Sequence, residues 1–265
     1  MKVGFIGCGN MATAIIKGIV ESKALSCDDI FVFDVDSEKT KICSEQFGVK
    51  ISSDEKELIL SVDAVVLAIK PIGFQTLLPN IGKTLKEKNP LIISIAAGKT
   101  LDFIASFLLY DASIVRVMPN INAKVGQAMS AYCDNGSITN EQENLINAMF
   151  SSVGRVMKLD EQYFPLFGVV AGSAPAFAYM FIDSLARAAV KNGMNKQVAL
   201  EIAAQTVYGS AKLIMDGDEH PWELIDQVCS PGGTTIEGIT SLQSDGFESA
   251  ICRAVDCAVD KDKKI

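Results

Sequence analysis

Two short stretches combine glycine with the start of a helical pattern. The first is Gly7–Cys8–Gly9–Asn10–Met11–Ala12, and the second is Ser230–Pro231–Gly232–Gly233–Thr234–Thr235. A helix start leaves several N–H groups unpaired and carries a partial positive charge, so both stretches are suited to anions. In the first, Gly7 allows a tight turn out of an apolar run. Gly9 lets a pyrophosphate approach the backbone, and Ala12 lets the helix pack closely on the strand. In the second, the N–H groups of Gly233, Thr234 and Thr235, with a threonine hydroxyl, form a cradle for a carboxylate. That gives an acidic chain local affinity for an anion without a lysine or arginine.

Other candidates lie where apolar runs end. Asp34 closes Ile30–Phe31–Val32–Phe33, where a carboxylate accepts the ribose hydroxyls of NAD and repels the 2′-phosphate of NADP. No arginine lies nearby, though Lys39 and Lys41 follow within reach of a phosphate. Lys70–Pro71, Ala96–Ala97–Gly98 and Pro119–Asn120 each follow a separate apolar run. Small residues there let a flat ring lie against the backbone, and Asn120 can hydrogen-bond a carboxamide. The acid–base inventory is thin. His220 is the one histidine, and it reads as the cap of a helix over Trp222–Val228. Chemistry that needs a strong base is disfavoured. A substrate that is already activated, such as a protonated imine awaiting hydride, is favoured.

The elements that must position these residues follow from periodicity. Ala64–Ile69, Leu91–Ile95 and Ile114–Met118 are continuous apolar runs, the mark of parallel strands covered on both faces. Val49–Ile51 is short and extended, and Gln127–Cys133 reads as one more strand. Helical spacing covers Ser37–Phe47 (with Ser37 as N-cap), Phe74–Leu85, Leu101–Leu109 and Asn140–Val153. Strands alternating with helices predict an α/β, doubly wound sheet. Beyond Asp160 only helices are expected: Ser173 to Asn192 with Gly193 as C-cap, Asn195–Met215 and Ser244–Lys261. The uncharged stretch Phe164–Ile182 is nearly long enough to span a bilayer. With Pro165, Gly168, Gly172 and Pro175 in it, the expectation is a buried loop and helix start. The helix that follows is apolar around most of its circumference and must be buried on all sides. About a hundred residues cannot bury it alone, which predicts a homodimer that interleaves these helices.

Composition narrows the class. The chain has 265 residues and a net charge of -8, which disfavours nucleic acid and anionic membranes as partners. Its cysteines number 7, with no Cys-x-x-Cys pair, so a zinc site is not expected and reduced thiols in the cytoplasm are. Met1–Lys2 leads straight into the first strand, which predicts no signal peptide.

Taken with Ala68–Ile69–Lys70–Pro71, Met118–Pro119–Asn120 and Gly172–Ser173–Ala174–Pro175–Ala176, the two glycine stretches resemble the Δ1-pyrroline-5-carboxylate reductases from end to end. The resemblance implies an N-terminal Rossmann domain over residues 1–160 and a C-terminal all-helical dimerisation and substrate-binding domain over 161–265. It also implies, in many members, a ring of dimers. The implied reaction is hydride transfer from NADPH or NADH to C5 of pyrroline-5-carboxylate, giving L-proline. The substrate carboxylate would sit on the Gly233–Thr235 amides and the Thr235 hydroxyl, with Asp218 near the ring nitrogen. Lys70, Pro71, Ala96 and Ala97 would meet the nicotinamide. The full set of expected cofactor contacts is Ile6, Gly7, Cys8, Gly9, Asn10, Met11, Asp34, Ala68, Lys70, Pro71, Ala96, Ala97 and Asn120. Asp34 departs from the Ser, Thr or Asn of many members and tilts the expectation toward NADH. Ile121–Asn122 and Ala174 are further departures that remove no expected contact. Two other readings stand beside this one. A 3-hydroxyacid dehydrogenase would place a helix lysine soon after Gly172, where the chain instead reads Phe177–Ala178–Tyr179. A cofactor-sensing regulatory protein would not need an intact second stretch.

Overall fold

A computed structural model describes residues 1–108 and 110–262. Leu109, the last residue of one expected helix, and positions 263–265 of the expected second domain lie outside the described residues. The chain divides into two compact units at Gly172–Ser173.

The first unit holds β1 (Val3–Ile6), α1 (Asn10–Glu21), β2 (Ile30–Phe33), α2 (Ser37–Phe47), β3 (Lys50–Ile51), α3 (Glu55–Ser61) and β4 (Ala64–Leu67). It continues with α4 (Phe74–Lys88), β5 (Leu91–Ser94), α5 (Leu101–Ala105), β6 (Ile114–Met118), β7 (Ala128–Asp134), α6 (Asn140–Ser151), β8 (Gly154–Lys158) and α7 (Phe164–Phe167). The strands form one sheet in the order β3-β2-β1-β4-β5-β6-β7-β8. Every pairing is parallel except β6 with β7. Strands β1, β4 and β5 are buried at every residue, as continuous apolar runs between two helical layers must be. One layer closes a core around Phe5, Ile15, Ile16, Ile19 and Phe150. The other closes one around Leu58, Leu67, Phe74 and Leu78. Each such side chain contributes roughly 2 kcal/mol by leaving water.

Several local expectations are corrected. Asp36, not Ser37, caps α2 by accepting the Glu38 N–H. Helix α3, absent from the expected elements, has a polar first turn and buries Leu58 and Ile59; Asp54 caps it through the Glu57 N–H, and Glu57 reaches back to the Ser53 N–H. That reciprocal cap was a readable signal. Strand β8 is a half-exposed edge strand, held on one side by β7. The expected loop after Phe164 is helical instead: α7 runs into a π-helical turn over Gly168–Ser173, with Pro165 tolerated in the first turn. Phe164 is fully buried in the second core and ties this segment to the first unit.

The second unit holds α8 (Ala174–Lys191), α9 (Lys196–Asp216), α10 (Pro221–Val228), α11 (Thr234–Ser244) and α12 (Phe247–Asp262). Asn195 caps α9 and His220 caps α10. The helix expected from Ser244 begins at Phe247, because Gly246 at φ +71 turns the chain between α11 and α12. Helices α8 and α9 meet through Ala186, Ala199 and Ala203. Ala186 is the one buried residue of α8. Tyr179, Leu185 and Val190 are exposed, and Met180 is 74% exposed. The burial that the α8 sequence demands is therefore not supplied within this unit.

Candidate active site

The parallel order β2-β1-β4-β5-β6 brings the carboxyl ends of five strands into a row along one edge of the sheet. That row carries Asp34, the glycine turn, Ala68–Pro71, Ala96–Ala97 and Asn120, so the expected residues of the first unit do come together. In the glycine turn Gly7 stands at φ +105, and its N–H donates to Phe33 O at 2.7 Å. A Cβ there would lie 2.6 Å from Ala68 O. Gly9 differs: a Cβ on it would meet nothing within 4 Å, so the space in front of it is open. Gly9 is also the extended N-cap of α1 and brings no capping side chain, and the first turn of α1 holds no acid.

Helices α4, α7 and α8 also lack a capping side chain, but each continues from a residue already in helical geometry; a bare start at an extended residue is a different case. Helices α2, α3, α5, α6, α9 and α10 are each closed by a side chain, from Asp36, Asp54, Thr100, Thr139, Asn195 and His220. Helices α1 and α11 start instead at extended glycines, Gly9 and Gly233, with no capping side chain. At α1 the free N–H groups, the positive helix end and the open space before Gly9 fit a dinucleotide's diphosphate. Ile6 is buried behind the turn, and Asn10 is exposed on the first helical turn. The hydrogen bond with Cys43, and then burial, push the Cys8 thiol well above its ordinary pKa, which disfavours the thiolate.

Asp34 is held at this turn. Its Oδ2 accepts the Cys8 N–H at 2.8 Å and its Oδ1 accepts the Asp36 N–H at 2.9 Å. Lys39, offered by sequence as a phosphate contact, pairs with Asp36 at 3.4 Å. Beside Asp34 opens a cleft of about 290 Å³ lined by Phe33, Val35, Ile69, Leu77, Thr76 and Asn80, among others. Sequence alone gives none of these six a role in the site. Val35 is 92% exposed directly after the strand's acid, and that position was its one sequence signal. An apolar cleft with a few polar groups suits an adenosine moiety.

Further along the edge, Lys70 is exposed and Pro71 opens a single 3-10 turn. Ala96 is buried and Ala97 is exposed, with Gly98 turning the chain at φ +70. Asn120 is corrected in its expected part. It is buried, its Nδ2 donates to Ala171 O at 2.9 Å, and its Oδ1 accepts the Met129 N–H. An amide engaged at both ends holds the turn after β6 and does not face outward toward a carboxamide.

In the second unit, Gly232 stands at φ +65 and Gly233 closes the turn by donating its N–H to Ser230 O at 3.0 Å. Gly233 is thus not one of the free donors expected of it. As the first three helical residues, Thr234, Thr235 and Ile236 keep N–H groups with no partner inside α11. Side chains stay off this turn for a steric reason too, since a Cβ on Gly233 would lie 2.4 Å from Ser230 Oγ. Asp218 is exposed between α9 and α10. His220 is occupied as a cap, its Nδ1 accepting the Trp222 N–H at 3.2 Å.

A doubly wound sheet with a bare glycine-capped helix start, and an acid closing the neighbouring strand, defines a nicotinamide-dinucleotide oxidoreductase. The comparisons with known proteins narrow that class. A family model described as NADP oxidoreductase coenzyme F420-dependent matches residues 2–98, and one described as pyrroline-5-carboxylate reductase dimerisation matches residues 161–265. The chain is 39% identical to the pyrroline-5-carboxylate reductase of Aquifex aeolicus, covering 100% of this chain and 97% of that one. It is 38% identical to that of Escherichia coli, covering 100% and 98%. The solved pyrroline-5-carboxylate reductase of Coxiella burnetii superposes with a TM-score of 0.94 at 30% identity, over 99% and 97% of the chains. That of Plasmodium falciparum, solved with NADP bound, gives 0.86 at 29%, over 100% and 97%. The chain belongs to the pyrroline-5-carboxylate reductase family.

Proposed function

We propose that this chain reduces L-1-pyrroline-5-carboxylate to L-proline with NAD(P)H. The observation that carries the reading is the start of α11, where glycine replaces a cap and leaves main-chain donors for a carboxylate. The names of the relatives support the same substrate. When bound, the reduced nicotinamide supplies the hydride that adds to C5 of the cyclic imine. The chain's own part is positional. The start of α1 holds the diphosphate, Asp34 takes the ribose, and Lys70, Pro71, Ala96 and Ala97 bound the nicotinamide. The Thr234 and Thr235 N–H groups and the Thr235 hydroxyl grip the carboxylate, and Asp218 approaches the ring nitrogen. A protonated imine needs no strong acid to polarise it, which suits a chain whose one histidine is spent on a helix cap. Positioning, not acid–base chemistry, provides the rate enhancement. Seven unpaired cysteines support a reducing, cytoplasmic setting.

Following NADH oxidation with pyrroline-5-carboxylate against 3-hydroxyacids tests the function, and turnover of the imine alone is expected. Thr235→Ala should raise KM for the imine about tenfold, the worth of one hydrogen bond to a charged group, with cofactor affinity nearly intact. An unchanged kcat/KM would remove Thr235 from the site.

The exposed apolar faces of α8 and α9 support a homodimer that buries them. The run Glu161–Lys191 is long and apolar enough to cross a membrane by length and composition, and only 11% of its apolar 18-residue stretch is buried. We read that surface as a subunit interface. Sedimentation at micromolar concentration should find dimers or rings of dimers, and Met180→Asp should dissociate them. A stable folded monomer of the unmodified chain would refute the interface.

A further inference from the structure

The turn between β5 and α5 carries Ala96 and Ala97, and its two ends are held by different partners. At its start the Ala96 N–H donates to Ser94 Oγ at 3.3 Å. At its end the Leu101 N–H donates to Glu161 Oε1 at 2.9 Å, across 60 residues of sequence. The same oxygen accepts from Arg116 Nη1 at 2.9 Å. Arg116 lies on β6 directly beside Ser94 in the sheet register, so both anchors converge on one place. Its side chain is 6% exposed, and its guanidinium lies 4.5 Å from the centre of the Phe164 ring. Its Nε finds no hydrogen-bond acceptor among the described residues. A buried cation with one donor unmet relies all the more on the carboxylate it has. Thr100 already caps α5 through the Phe103 N–H, so Glu161 is not needed merely to close that helix. What it fixes is where the helix start, and with it the end of the turn, stands against β6.

We infer that Glu161, itself held by Arg116, is a positioning residue for the 96–100 turn and so for the surface on which the nicotinamide lies. The inference rests on the cofactor placement proposed above. It separates from a general structural role by one comparison. ADP-ribose carries the adenosine and both phosphates of the cofactor but no nicotinamide. A turn displaced only under the nicotinamide weakens NADH and spares ADP-ribose.

Titrating both ligands into Glu161→Ala should give ADP-ribose affinity within about twofold of the parent and NADH affinity about tenfold weaker. Glu161→Gln keeps an acceptor facing the Leu101 N–H and should recover most of the NADH affinity. Equal weakening of both ligands, or no weakening of NADH, overturns the inference. Should Glu161→Ala fail to fold around an unpaired Arg116, R116M/E161A and R116M/E161Q make the same comparison without a buried cation. Equal NADH affinity in those two also overturns it. Binding is read without the imine, so a parent chain that failed to reduce pyrroline-5-carboxylate would leave this comparison standing.

Discussion

An Asp34→Ser variant is expected to move the NADH-to-NADPH ratio of kcat/KM by about a hundredfold toward NADPH. The carboxylate is not free to swing away. It is tied through Oδ2 to the Cys8 N–H and through Oδ1 to the Asp36 N–H. Each oxygen keeps a lone pair for a ribose hydroxyl, and the fixed charge meets any 2′-phosphate at short range. Serine removes the charge and leaves a donor for the phosphate. It also loosens the glycine turn by giving up the Cys8 contact, so affinity for both cofactors should fall somewhat. The ratio is therefore the readout, taken from initial rates with each cofactor at fixed imine. An unmoved ratio would mean that Asp34 does not face the ribose.

The two glycines of the same turn should fail in opposite ways. Gly7→Ala sets a Cβ 2.6 Å from Ala68 O, at a φ of +105 that a side chain rarely adopts. Positive φ and overpacking against backbone together cost about 4 kcal/mol, a large share of a domain's stability. For a unit of this size the melting temperature should drop by about 10 °C. Gly9→Ala meets nothing within 4 Å, so its Tm should stay within about 2 °C of the parent. Its methyl stands where the diphosphate must come, and NADH affinity should fall about a hundredfold. Calorimetry and cofactor titration on the two variants separate the roles. A Gly9→Ala chain that binds NADH normally would move the diphosphate away from this turn.

How much of this was legible depends on how far each partner lies along the chain. Gly7, Gly9, Asp34 and the buried strands announce themselves because their chemistry is local: a turn, a run, a strand end. Helix α3 was hidden by its short length and polar first turn, though its cap was there to be read at Asp54 and Glu57. The cleft beside Asp34 was hidden because Val35, Ile69 and Leu77 converge from three separate elements. Asn120 and Gly233 were given outward roles because sequence shows a donor but not whether a carbonyl elsewhere already takes it. Ala171 O and Ser230 O do. The Glu161–Leu101 bond joins positions 60 residues apart, and no local pattern encodes it.

Anchoring ligands at bare helix starts has a consequence for mutational drift. A backbone donor survives almost any codon change at its own position, so residues 234 and 236 can vary while the donors they present persist. The constraint falls instead on neighbours that contribute no contact at all, the glycines whose missing side chains keep the approach clear. These anchors present main-chain donors instead of a cationic side chain to the anion, so small oxyanions such as sulfate in an assay buffer should compete at both helix starts.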